Sequence, residues 1–241
     1  MAERRPAYYA VRGGGWRDWW SVLHPPYTAW HLGYVCLGAG LADRVDLGRL
    51  GATLVAFAAA VGVAAHAVDE LHGRPLGTSI GAGALRAAAG AGLAVAVALG
   101  IVGVVRVGPA LIPFLILGPA LVVVYNAEIA GSRLHSPATF ALSWGAFPVL
   151  TAYVAQAGTV RPAVVVLAAA ATFLSAAQRT LSTPARLLRR RTAAAAARLE
   201  MADGTEVVLG MGELLAPLET ALRAMSWAVV LAGAALVLAR T

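Results

Sequence analysis

The sequence predicts an all-α fold: a polytopic membrane helical bundle of about seven spans, with the N-terminus cytoplasmic. Three observations carry this. First, the 241 residues are 59% hydrophobic and only 13% charged, where soluble domains carry about 25% charged residues, and mean hydropathy is +0.73. Second, the apolar residues gather into seven runs, each near the ~20 residues that cross a bilayer. Third, the basic residues, all Arg, are distributed unevenly about those runs. With the N-terminus inside, the outside turns hold only Arg44, Arg49, Arg106, Arg161 and Arg240 of the 19 basic residues; the excess of Arg inside fits the positive-inside rule. Because the arginines flank apolar spans, the net charge of +7 is read as setting membrane orientation, and nucleic acid is excluded as a partner. The partner is the lipid bilayer, and the location an integral, multi-pass one in a bacterial inner membrane.

Residues 1–26 form a basic, aromatic interfacial segment. It contains Trp16, Trp19 and Trp20 but no compact apolar region, so it does not read as a cleavable signal peptide. The membrane core covers residues 27–178. Its spans run roughly Tyr27–Ala42, Leu50–Val68, Ala87–Val105, Pro109–Tyr125, Pro137–Gln156 and Pro162–Ala177. Residues 179–212 form a cytoplasmic, Arg-rich segment, where Ala193–Ala197 suits a helix and Ala202-Asp-Gly204 suits a hairpin turn. Residues 213–241 hold a C-terminal helix or span, whose apolar part is Ala224–Ala239 and whose start lies near Gly212. Cys36, the one cysteine, is read as packing.

The chemistry concentrates in His66-Ala-Val-Asp-Glu-Leu-His-Gly-Arg-Pro-Leu-Gly-Thr78, at the end of the second span. Ionisable groups at a membrane are expensive and point to function. On a helix, His66 and Glu70 lie one turn apart on one face, with Asp69 beside them. Asp69 and Glu70 suit a hard divalent cation. His66 and His72, joined by Glu128 and His135, suit Zn, Fe or Mn. Arg74, Arg133 and Arg179 suit bidentate binding of a diphosphate, and Asn126 and Glu128 would complete the site. Each reading has a plainer counterpart: a solvated helix end, an Asp69–Glu70 pairing with Arg74, or positive-inside bias. His24 and His31 are read as structural. In the predicted topology the polar groups ending spans two, four and six share the cytoplasmic side and converge on one cavity mouth.

Three stretches resemble the UbiA superfamily of intramembrane prenyltransferases. The end of span two followed by Arg74-Pro-Leu76 is similar to the family's Asn-Asp-x-x-Asp motif and its Arg-Pro-Leu-like segment. Residues Trp144 to Gly158 resemble its apolar span with a Tyr (Tyr153) and a terminal Gln-x-Gly (Gln156). Gln178 and Arg179 stand where the family has a second aspartate motif. The resemblance implies a helical barrel in which Mg²⁺ holds a polyprenyl diphosphate, and ionisation gives an allylic cation that an acceptor captures or that cyclises. On that reading Asp69 and Glu70 hold the metal, Tyr153 faces the cation, and Gln156 and Gln178 join the arginines in binding substrate. His66 replaces the family's first Asn, Glu70 its Asp, and Ser175–Pro184 contains no acid. The family usually has nine spans. Two further hypotheses follow from these departures: a catalytically retired homologue that binds isoprenoid lipid or scaffolds a membrane pathway, and a membrane metalloenzyme with a His/Glu site.

Overall fold

The computed structural model describes residues 9–11, 13–126 and 136–241. Among the described residues, eight helices carry the fold. Helix α1 (Trp16–Val22) is followed by α2 (Pro25–Gly40). Helix α3 runs Leu47–Leu71 and α4 runs Ala82–Val107. Helix α5 (Ile112–Asn126) follows a short 3₁₀ turn at Pro109–Leu111. Helix α6 spans Pro137–Ala157, α7 Pro162–Arg191 and α8 Met211–Leu238. Between α7 and α8 lies one antiparallel hairpin, β1 (Ala196–Glu200) and β2 (Glu206–Gly210), with Ala196 opposite Gly210.

All seven predicted runs are helical, and α3, α4, α6, α7 and α8 are long and apolar enough to cross a membrane. Helix α2 has 16 residues, and the helical stretch Pro109–Tyr125 is likewise short of that length. Helix α2 is the hub of the bundle, packing on α3, α6, α7 and α8. Its glycines permit this. A β-carbon at Gly38 would collide with the Val149 carbonyl of α6, and one at Gly233 of α8 would stand 2.7 Å from the Gly33 carbonyl. Small residues are what let apolar helices approach when lipid supplies no hydrophobic drive between them. Around α2, Trp30, Tyr34, Val149, Tyr153, Val164 and Val229 form one buried cluster.

Two boundaries differ from the sequence reading. Helix α7 does not stop near Ala177 but continues to Arg191. Once the helix leaves the apolar zone, hydropathy no longer marks it, although backbone hydrogen bonding continues. Residues 193–195 are irregular, and Ala196 and Ala197 enter β1. The turn at 202–204 overrides the alanine propensity there: Asp203 Oδ1 accepts from the Thr205 amide at 2.9 Å and its hydroxyl at 2.6 Å, with Gly204 at φ +81°. The predicted hairpin turn and the α8 start near Gly212 both match the structure.

Candidate functional site

The central motif folds as a clasp on the loop between α3 and α4. Helix α3 ends at Leu71, and Gly73 (φ +75°), Arg74 (φ +50°) and Gly77 (φ +64°) reverse the chain through left-handed backbone. Glu70, fully buried, holds that reversal. Its Oε2 accepts from the Leu76 amide at 3.0 Å, and its Oε1 accepts from the Thr78 amide at 2.9 Å and hydroxyl at 2.8 Å. Asp18 of α1 closes the loop from the other side, accepting from the Ser79 amide (2.7 Å) and hydroxyl (2.6 Å). Arg74 donates to the Ile80 carbonyl at 2.6 Å rather than to either acid. His72 is exposed at the helix end. The loop's amides and carbonyls thus find partners in the ionisable side chains that stand out in the sequence.

Beside the clasp is a cluster of rings. His66 is buried, its Nδ1 lies 3.2 Å from the Gly62 carbonyl, and its ring stacks on His24 at 4.5 Å. His24 Nδ1 pairs with the Tyr9 hydroxyl. Burial above all, then the fields of His66, Arg190 and Arg186, hold the His24 imidazole well below its ordinary pKa. Tyr27 packs against His66 and His31, within electrostatic reach of Tyr125, Asp69 and Arg186. Arg179 donates to the Tyr125 hydroxyl at 3.0 Å and lies over the Phe140 ring. The structure therefore brings Asp69, Tyr125 and Arg179 to one end of the bundle, as the predicted topology requires. Gln178 is half-buried on α7. Glu128, Arg133 and His135 lie outside the described residues, as does the Asn126 side chain.

Tyr153 and Gln156 do not join this group. Gln156 accepts from the Asp46 amide at 2.8 Å and receives Arg49 on its own carbonyl at 2.9 Å. Asp46 caps the far end of α3, whose 25 residues separate it from Glu70 by roughly 35 Å at helical rise. Tyr153 is buried in the α2 cluster. Successive spans run in opposite directions, so the end of span five falls on the face opposite the ends of spans two, four and six.

Nor do the described residues fit a divalent metal. Both Glu70 oxygens are engaged by loop donors, and nowhere among the described residues do three His, Cys, Asp or Glu side chains gather to hold an ion.

The sequence reading places a cavity mouth at the His66–Arg179 end; a half-open cavity of about 490 Å³ instead lies between α3, α4, α5 and α6, and none of His66, Asp69, Glu70, Arg74 or Arg179 lines it. Its walls are apolar: Phe57, Val61, Leu93, Leu115, Val122 and Phe147 are representative. The two π-helical stretches among the described residues, Ala58–Ala65 and Leu142–Ala146, face it through Ala60, Val61, Ser143 and Trp144. π-turns in long helices frequently accompany functional sites. Asp46, Arg49 and Arg106 lie at one end, and His31 lines the wall near Trp144.

Comparison with known proteins gives no match: no family model, no curated protein and no solved structure is similar to the chain.

Proposed function

We propose that the protein binds an isoprenoid or similarly elongated lipid inside a bacterial inner membrane, with its N-terminus cytoplasmic, and without metal-dependent turnover. The observation that carries this is the cavity. Its volume of about 490 Å³ falls in the range of roughly 300–1,000 Å³ that encloses small organic ligands. Apolar walls between membrane helices select a ligand that already partitions into lipid. The clasp around Glu70 serves this reading by fixing where α3 and α4, two of the cavity walls, leave the bundle.

A second reading, an enzyme acting on a polyprenyl diphosphate by prenyl transfer or cyclisation, is favoured by one observation. Arg179 and Arg186 share the bundle end with Tyr125 and Tyr27. Such a group could receive a diphosphate. Mg²⁺ would have to be held by residues other than Glu70 as it stands here.

Thermal melting of the detergent-purified protein separates the two, because a ligand of the native state raises the midpoint. The lipid reading expects a rise with a C20 isoprenoid lacking phosphate, independent of Mg²⁺ and abolished by Ala96→Phe, which fills the cavity from α4. A rise confined to geranylgeranyl diphosphate with Mg²⁺, lost in Arg179→Ala, would favour the enzyme. No rise with either probe would remove the lipid reading.

A further inference from the structure

Among the described residues, one fully buried side-chain polar atom lacks a partner: Nε2 of His31. The ring is 1% exposed. Its other nitrogen, Nδ1, lies 2.8 Å from the Tyr27 carbonyl. A carbonyl oxygen only accepts, so Nδ1 carries the proton, and in the neutral ring Nε2 is a bare acceptor. Tyr27, Tyr34 and Trp144 pack edge-to-face around the ring.

His31 also borders the cavity, where its Nε2 is closed to solvent and unpartnered. Thr53 and Thr151, two other polar wall residues, are satisfied on their own helices, Thr53 donating to the Arg49 carbonyl at 2.8 Å and Thr151 to the Phe147 carbonyl at 2.7 Å. Arg49 and Asp46 bind Gln156. An unpartnered buried acceptor costs free energy, and native interiors seldom leave one without a reason.

We infer that a small turn of the His31 ring opens its Nε2, closed off as the ring stands, to a hydroxyl on the ligand, so that the cavity takes an apolar lipid bearing a terminal alcohol in preference to a hydrocarbon or an ether. This rests on the cavity being the lipid site. The hydroxyl sits at the His31 wall, and the chain extends along Leu93, Val97 and Leu115 toward the Arg49 end.

The test uses the full-length protein in detergent and two probes of equal length, geranylgeraniol and its methyl ether, which differ in one donor hydrogen. Binding is measured by equilibrium retention of labelled probe. Wild type is expected to hold the alcohol roughly tenfold more tightly than the ether. His31→Phe keeps the ring volume and removes the acceptor; it should bind the two probes alike. His31→Gln, which retains an acceptor oxygen, should restore part of the preference and guards against a folding defect in the Phe variant. Equal binding of both probes by wild type would overturn the inference and leave the lipid reading intact, as would a preference that survives in His31→Phe. Failure of wild type to bind either probe would overturn the lipid reading and the inference with it.

Discussion

The Glu70 clasp and the His31 cavity wall are both buried polar sites in the same bundle, and they are opposites. At the clasp, one carboxylate meets three donors, and a second carboxylate, Asp18, meets two. At the wall, one imidazole nitrogen meets none. A site whose hydrogen bonds are all made internally stabilises a shape; a site with one left open has capacity for a ligand. The density of ionisable residues therefore marks where this protein needs backbone support, and under the proposed function the isolated histidine marks where it takes a ligand.

The sharpest way to break this contrast is Glu70→Ala. If Glu70 were a metal ligand alone, the variant would lose activity and fold normally. As the clasp, its loss strands the Leu76 and Thr78 donors, and the expected cost is about 2–4 kcal/mol. Chemical denaturation would read this directly, and limited proteolysis should cut within residues 72–81 first. The ratio of alcohol to ether binding should persist in whatever fraction stays folded. Asp18→Asn is gentler. The amide oxygen can still accept from Ser79, so only the charge assistance is lost, and the expected destabilisation is about 1 kcal/mol. A stability loss in Asp18→Asn as large as that in Glu70→Ala would mean that α1 anchors the loop more than α3 does.

The bundle was largely legible in the sequence because hydropathy reports burial in lipid and protein alike. All seven runs became helices. What hydropathy could not show was the far half of α7, where Arg186 and Arg189 continue a helix beyond the apolar zone, or the strand at Ala196–Glu200, whose partner lies on the other side of the Asp203–Gly204 turn. The site was legible in a different degree. His66, Asp69, Glu70 and Arg179 do come to one end of the molecule, as alternating spans require. That same alternation excludes Tyr153 and Gln156 from the group, so the linear similarity that linked them was the weaker guide. The role of Glu70 depended on which backbone amides return to it, Leu76 and Thr78, and that follows from the left-handed residues at 73, 74 and 77. A cavity was expected behind the polar ends of spans two, four and six, but the position of this one could not be read. It is a property of how four helices fail to meet, and His31 was assigned to structure because nothing near it in the chain suggests a ligand.

The smallest expected effect probes the clasp end by pH. His24 precedes the first proline of α2 in a left-handed conformation, φ +44°, between the Tyr9 hydroxyl and the His66 ring. Burial is the main reason its imidazole stays neutral in the folded protein, with the positive fields of His66, Arg190 and Arg186 adding to it. In the unfolded chain it takes up a proton near the ordinary value of 6.5. The unfolded state then binds more protons than the folded state below that pH, so stability rises with pH. Its contribution is complete above about pH 7 and is withdrawn as pH falls through 6.5, amounting to under about 1 kcal/mol by pH 6. His24→Asn removes the titration while keeping a residue that tolerates left-handed backbone. Denaturation midpoints taken from pH 7.5 to pH 5.5 should therefore fall less steeply in the variant than in wild type. Parallel slopes would show that His24 does not carry the acid sensitivity. Alcohol binding at the cavity should follow neither slope, because the proton enters at His24 while the ligand's hydroxyl meets His31, on the far side of Tyr27.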